Sequence, residues 1–499
     1  MNIEDTLKRM AASDIKQVRL AWCDLHGELR TKTLMPLAVE DALRNGIGMV
    51  GTLALKDTSD RTAFKVFEST GTAQLPDSNN AFANAANLVL RPVLSSYQEL
   101  PWAPGTAWLQ GQLHYANGRP VEIDTRHVLH TALEKLEGQG LGLRCGLEVE
   151  FHIYKIESTR PQTDPDLADW PGLPPAVSML HPGYHLLSEQ YMDRCDEPLR
   201  IVQSTALALG LPLTSLEIEF GPSQFEAVFD VMDAMAAADA MVLFKSAVRQ
   251  ALRRAGYHAT FMCRPPFAHI MSSGWHLHQS LVRLDDENNA LALPAPADAP
   301  EDWYKRAMSP LQGLLPISKP LEAASYLSAT GCHYLAGLLA HAAGSCALSN
   351  PSINAYARFA PNALAPQRIV WDHDNRGAML RVIAPRQAPQ ATRIENRVGE
   401  PMANPYLYMA SQIYAGLDGI ARTLQPPTAS TSPYQDDAAK LPNTLADALA
   451  ALQADKVLQA GLGPGFVDYL CQVKQQEIAR YNAAPDALDW QRREIFARF

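Results

Sequence analysis

Apolar and polar residues alternate with a period of two along LRCGLEVEFHIYKI (143–156), the mark of a strand with one buried face. VRLAWCDLHGELRTKTL (18–34) reads as two strands around a turn tipped by His26 and Gly27, and ANLVLRPV (86–93) as another strand. PWAPGTAWLQGQLHY (101–115) is turn-rich and then strand-like, and it marks a domain boundary. Helical spacing appears in residues 1–16, in 126–140 where glycines end it, in 193–210 and in the long run 234–257. TSLEIEFGPSQFEAVFD (214–230) predicts two strands around Gly221 and Pro222, followed later by strands in ATFM and GWHLHQSLVRL. Helices dominate 320–345, strands return at 367–383 and 393–398, and helices run from 405 to the end. Residues 56–70 have no clear period, and the proline-rich stretch 159–185 reads as an extended insertion over a surface or cleft. Strands and helices intermix without a strict βαβ beat, so the fold class is α+β.

Length and charge narrow the classes. The 499 residues exceed what one core needs, and 47% hydrophobic with 19% charged residues describes a soluble globular chain. A net charge of −10 disfavours nucleic acid as a partner, because phosphate backbones reward basic patches. No apolar run reaches the roughly 20 residues of a membrane span, and the N-terminus lacks the apolar core of a signal peptide. The seven cysteines are scattered without a CxxC pair, which fits reduced thiols and a cytoplasmic protein.

The chemistry lies in paired polar positions on strands. Glu148 and Glu150 sit at i and i+2 on one strand and share a face, as do His276 and His278. A solvated strand face is the plain reading of one such pair. Glu217, Glu219 and Glu226 add carboxylates to both arms of a turn, so Glu219 and Glu226 can face each other across a hairpin, and adjacent carboxylates repel unless a cation lies between them. An oxygen-rich set with occasional imidazole suits Mg²⁺ or Mn²⁺ rather than zinc. Arg358, Arg376, Arg381, Arg393 and Arg397 lie in strand-like stretches with few compensating acids, which favours anion binding. Acids for divalent cations plus arginines for an anion point to phosphoryl transfer without a P-loop.

Taken together these motifs resemble the glutamine synthetase family, in its γ-glutamyl-amine ligase branch. GLEVEF is similar to the family's E-x-E strand, EFGPSQFE to E-x-G-P-G-Q-x-E, and SSGWHLHQSL to G-x-G-M-H-x-H-x-S-L. NPSINAYARFAP, DNRGAMLRV and RIENRVGEPMANPYLYMASQIYAGLDGI follow in the family's order. The resemblance implies a small N-terminal β-grasp-like domain (1–115) and a large catalytic domain (116–499) with a curved antiparallel sheet flanked by helices. It implies a homo-oligomer, usually a dodecamer of two hexameric rings, whose sites are completed by a neighbour's N-terminal domain. It also implies that ATP phosphorylates the γ-carboxylate of glutamate and that an amine then displaces the phosphate. By motif, Glu150, Glu219 and Glu226 would hold one metal ion, and Glu148, His276 and Glu395 the other. His278 and Ser280 would contact ATP, while Arg376, Arg381 and Arg393 would bind its phosphates. Arg358, Arg376 and Arg397 are the candidate catalytic residues, with Arg358 and Arg397 on glutamate and the transferring phosphoryl group. Ser272, Gly274, Trp275 and Leu364 would line the substrate pocket.

The departures from the family concern the amine. In ammonia-using members the loop after the first arginine reads R-L-V-P-G-x-E-A-P, and its glutamate serves the ammonium. Here Leu364 stands at that position, with Asn362 and Ala363 before it. The aspartate of the family's D-G-S-S loop has only DTSD (57–60) as a loose counterpart. Met271 and Ser272 replace a polar residue and a glycine, and Trp275 replaces a methionine. An arylamine arrives neutral and needs no carboxylate to shed a proton, whereas a buried unpaired acid beside an apolar ring is costly. The expected substrate is therefore a hydrophobic, weakly basic, aniline-like amine. The alternatives are an alkylamine or polyamine, ammonia, or a non-catalytic nitrogen sensor. Tyr434, in TSPYQDD, lies roughly where some bacterial relatives are adenylylated, and is otherwise an exposed loop tyrosine.

Overall fold

The computed structural model describes residues 2–68, 70–72, 75–76, 80–293, 322–359, 365–385 and 388–499. Its first sheet is built from β1 (Gln17–Cys23), β2 (Leu29–Leu34), β3 (Ile47–Val50), β4 (Asn87–Glu99) and β5 (Thr106–His114) in the order β2-β1-β5-β4-β3. All neighbours are antiparallel except β1 and β5. Helices Ile3–Ala12 and Pro36–Asn45 accompany it, the first capped by the Asn2 side chain.

The second sheet carries the candidate chemistry. It contains β6 (Leu141–Ser158), β7 (Ala176–Met179), β8 (Leu213–Ile218), β9 (Gln224–Asp233), β10 (Tyr257–Thr260), β11 (Trp275–Arg283), β12 (Trp371–His373), β13 (Leu380–Ile383) and β14 (Arg393–Asn396). Its main path runs β12-β13-β14-β11-β6-β9-β8, with β7 and β10 beside the far half of β6. The sheet was expected to be antiparallel, but β12 and β13 pair in parallel at its edge. These strands have only three and four residues, so the turn 374–379 can double back beside them without a long crossover.

The period of two sets which face is the core. On β6, Leu141, Leu143, Cys145, Leu147, Val149 and Phe151 are buried, while Gly142, Arg144, Gly146, Glu148 and Glu150 alternate with them on a more open face. Phe151 packs on Phe225, Phe244 and Phe261, joining β6, β9 and helix Ala234–Arg254 in one apolar layer. Helix Pro405–Ala421, capped by Asn404, packs on helix Ala329–Ala340 through small residues. A Cβ on Gly337 would lie 2.2 Å from Ala415 O, and one on Gly419 2.1 Å from His333 O, so only glycine permits this approach. No described helix is long and apolar enough to cross a membrane.

The insertion 159–185 is anchored at several points. Its β7 segment pairs with β6, and Trp170 donates from Nε1 to Ser59 O at 2.6 Å while stacking on Arg61. All seven cysteines are buried free thiols.

Candidate active site

Strand register gathers the site. Glu226 of β9 lies directly across from Glu150, and His276 of β11 directly across from Glu148. β14 sets Glu395 across from His278. Opposed residues in antiparallel pairs have Cβ atoms about 4.5–5.5 Å apart, so backbone pairing alone brings these side chains together. Glu219 was expected to face Glu226 across the hairpin, but Glu217 occupies that position. Glu219 lies two residues further along the same face, where its amide donates to Gln224 O at 3.0 Å. Glu150, Glu219 and Glu226 still each offer an oxygen within 4.8 Å of the others.

Burial is the main force on these three carboxyls and pushes all of them up. Mutual repulsion adds to it, from Glu219 on Glu150 and from Glu150 and Glu219 on Glu226. Glu148 behaves oppositely. Burial would raise it, but hydrogen bonds from His276 and His278 outweigh burial and hold it well below the usual carboxylate range. His276 is pushed down to about 4, by burial first and by the Arg397 charge second, which leaves a neutral imidazole. Three acids that resist ionising together, beside a neutral imidazole, form a donor set that fits a hard divalent cation.

A pH dependence follows for the metal-free protein. Folded carboxyls with raised pKa hold protons that the unfolded chain has released above the ordinary carboxylate range, so stability falls as pH rises through that window. In chelator the melting temperature is expected to drop between about pH 6 and about pH 8, and saturating Mg²⁺ is expected to reduce the drop to the part that Glu400, buried outside the cluster, contributes. An equal drop with and without Mg²⁺ would exclude a cation at these acids.

The second cluster is arranged differently from the expected Glu148, His276 and Glu395. Donors close in two overlapping groups, Glu148 with His278 and Glu395, and Glu148 with Glu226 and His276. His276 Nδ1 lies 3.2 Å from Glu148 and 3.7 Å from Glu395, while His278 Nε2 lies 2.9 Å from Glu148. His278, expected as an ATP contact, therefore borders the acid cluster as well. Glu395 is fully buried, and burial opposes its ionisation, but His276 and Arg397 lower its pKa.

The arginines divide into three kinds. Arg358 is buried and donates from Nη1 to Val398 O at 2.9 Å and Gly399 O at 3.0 Å. Arg397 binds Glu395 through Nη1, and its buried Nε has no partner among the described residues, a donor left for an anion. Arg381, expected on a nucleotide phosphate, is held by two acids. It sits directly across from Glu395 on β13 and is engaged by Glu395 at 3.0 Å and by Asp374. Arg376 stands exposed on the turn between β12 and β13, outside the cluster.

A cavity of about 370 Å³ opens beside Glu148. His278, Ser280 and Arg393 line it, and Arg376 and Arg381 do not. Arg393 donates from Nε to His278 Nδ1 at 3.1 Å, and Ser280 donates to Thr392 O at 2.8 Å. Arg144 also lines the cavity and was missed. It lies on the same β6 face as Glu148 and Glu150, so the alternation already contained the signal.

The substrate-pocket residues fare unevenly. Gly274 donates from its amide to Glu150 Oε2 at 2.9 Å, and a Cβ there would meet Arg358 Nη2 at 2.3 Å. Ser272 accepts from Arg264 at 3.3 Å at the rim of the same segment. Trp275 is a correction. Alternation on β11 turns it away from His276 and His278, and it is fully buried edge-on against Tyr408. Leu364, with Asn362 and Ala363, lies outside the described residues. The loose acidic candidates in DTSD are engaged elsewhere. Asp57 is buried and accepts from Arg480 at 3.0 Å and Gln476 at 2.7 Å, and Asp60 pairs with Arg30 at 2.8 Å. Tyr434 is 46% exposed and packs beside Gly377, on the turn that carries Arg376.

The chain is similar to known proteins over nearly its whole length. The model of the glutamine synthetase catalytic domain matches residues 122–309 and 317–493. A γ-glutamylanilide synthase of Acinetobacter sp. is 34% identical over 99% of this chain and 95% of its own. The glutamine synthetase of Thermus thermophilus is 31% identical over 95% of this chain and 94% of its own. A γ-glutamylethanolamide synthetase of Streptomyces coelicolor is 27% identical over 100% of this chain and 96% of its own. The solved structure of GmaS with ADP superposes with a TM-score of 0.74 at 28% identity, covering 98% of each chain.

Proposed function

Because the chain belongs to the glutamine synthetase family, we propose that it joins the γ-carboxylate of glutamate to a hydrophobic, weakly basic, aniline-like amine. It is an ATP-dependent ligase, of a family whose members use ATP and divalent metal ions. A γ-carboxylate oxygen attacks the γ-phosphorus of ATP, giving γ-glutamyl phosphate and ADP. The amine nitrogen then attacks the activated carbonyl carbon, loses a proton, and inorganic phosphate leaves.

The residues divide this work. Glu150, Glu219 and Glu226 would hold one Mg²⁺ or Mn²⁺, and Glu148 with His276 and Glu395 a second, with His278 close enough to share it. Such ions, when bound, neutralise charge on the phosphates. Arg397, through its unpartnered Nε, and Arg358, fixed by two carbonyls, would orient the glutamate carboxylate and stabilise the phosphoryl group in flight. The cavity lined by His278, Ser280 and Arg393 would take the nucleotide. The expected small N-terminal and large catalytic domains, and a dodecamer of two hexameric rings, remain part of this reading.

Two observations support the apolar amine above the cationic ones. Asp57 and Asp60, the acids nearest in sequence to the family's ammonium-binding aspartate, are both neutralised by arginines. Leucine stands at position 364 where ammonia-using members place a glutamate. A protonated amine would then lack the two acids that serve ammonium in such members, while a neutral arylamine needs neither. The test is phosphate release with ATP, Mg²⁺ and glutamate, comparing aniline, isopropylamine, putrescine and ammonium at equal concentration. Aniline is expected to be preferred over ammonium by about tenfold or more, the scale of one lost charge interaction. Preference for ammonium or putrescine would overturn the apolar reading.

A further inference from the structure

We propose that Gln224 is a positioning residue that locks Glu150 and the segment 272–274 into one arrangement, leaving Glu150 to bind a divalent cation through Oε1 alone. The inference rests on the metal-dependent ligase reading and deepens it.

Gln224 is almost fully buried where three parts of the site meet. Its Oε1 accepts from the Gly221 amide at 2.8 Å, which closes the turn after Glu219. Its Nε2 faces Glu150 Oε2 at 3.0 Å, Ser273 Oγ at 3.1 Å and Ser272 O at 3.3 Å. The Gly221 amide needs an acceptor, and the Glu150 carboxylate and the Ser272 carbonyl need a donor, so the orientation of the Gln224 amide is fixed by its partners. Only an amide presents both at that place.

Glu150 is held accordingly. Its Oε2 receives two N–H donors, one from Gln224 and one from the Gly274 amide at 2.9 Å. Oε1 remains, turned toward His276 Nε2 at 3.9 Å and the acid cluster. The Gln224 side chain therefore joins a metal-binding carboxylate to the segment whose Gly274 abuts Arg358. Space confirms the fit, since a Cβ on Gly221 would lie 2.4 Å from Gln224 Oε1 and 2.7 Å from Met271 Cβ. A single amide thus ties the geometry of the metal site to that of the acid-substrate pocket.

Two variants of the full chain test this. Gln224→Glu places an acceptor against Glu150 and the Ser272 carbonyl. Gln224→Met keeps the length and apolar volume but donates nothing. Mn²⁺ binding without substrates, read by electron paramagnetic resonance, is expected to weaken by about tenfold or more, as for other lost partners of metal ligands. Gln224→Glu is expected to be the worse of the two. In turnover, KM for glutamate should rise more than KM for ATP, because segment 272–274 is released while the nucleotide cavity is not. Circular dichroism and the melting transition establish that each variant is folded, and Gln224→Met carries the test alone if Gln224→Glu is not. A folded Gln224→Met with wild-type Mn²⁺ affinity and an unchanged ratio of the two KM values overturns the proposal. The Mn²⁺ measurement needs no turnover, so a wild-type chain that binds Mn²⁺ but forms no amide would refute the ligase reading and leave this one to its own data.

Discussion

Glu226→Gln is expected to lower ATP-dependent amide formation by about a thousandfold and yet raise the melting temperature of the metal-free protein. The two effects share one cause. Glu226 lies directly across from Glu150 and close to Glu219, and all three are held toward the neutral form by burial first and by neighbouring carboxylates second, Glu150 and Glu219 among those acting on Glu226. Without a cation this is a cost to the fold, and an amide of the same shape removes one of the repelling groups. With a cation the same carboxylate supplies charge that an amide cannot. Metal ions contribute several kcal/mol to phosphoryl-transfer transition states, and each ~1.4 kcal/mol is tenfold in rate. The check is a pair of measurements on one variant, melting in chelator and in saturating Mg²⁺, alongside turnover. Stabilisation in chelator that disappears in Mg²⁺ is the expected pattern. A variant that is less stable in chelator would mean that Glu226 serves the fold and not a cation.

That pairing of Glu226 with Glu150 was only half legible in the sequence. Alternation in GLEVEF and GWHLHQS placed Glu148 with Glu150, and His276 with His278, each pair on one strand face, and the structure agrees. What alternation does not contain is which strand lies beside which. The order β14-β11-β6-β9 and its register bring four strands' side chains to one point, through contacts far apart in the chain. Register also decides that Glu217 rather than Glu219 opposes Glu226, because the hairpin turn is one step away from where the motif suggested. Two further features were present in the pattern and not read from it. The same period of two that unites His276 with His278 turns Trp275 into the core, and it sets Arg144 beside Glu148 at the cavity. Gln224 was hidden for another reason. It stands in EFGPSQFE at the glutamine of E-x-G-P-G-Q-x-E, but its role comes from four side-chain partners, three of which lie far away in the chain and reach it only in three dimensions.

Gly274→Ala is expected to reduce kcat/KM for glutamate by about a hundredfold while leaving KM for ATP within a few-fold of the wild type, the scale of loss when a reacting group is misplaced by about an ångström. The added methyl carbon would lie 2.3 Å from Arg358 Nη2 and 2.8 Å from its Cζ, far inside van der Waals contact. Arg358 cannot simply swing aside, because it is buried and its Nη1 is held by the carbonyls of Val398 and Gly399. Moving it would leave the buried Val398 carbonyl without a donor, at a cost of about 1–3 kcal/mol, while Gly399 O would keep only the Trp275 amide. Moving the strand end at 274 instead would break the Gly274 amide bond to Glu150 and disturb the acid cluster. Either relaxation damages the glutamate side of the site. The nucleotide cavity is spared, since neither Gly274 nor Arg358 lines it. Steady-state kinetics with each substrate varied in turn decides the matter. An equal rise in both KM values would mean that the methyl group disturbs the whole sheet. Unchanged kinetics would mean that Arg358 lies off the path of glutamate, and its place in the mechanism would have to be given up.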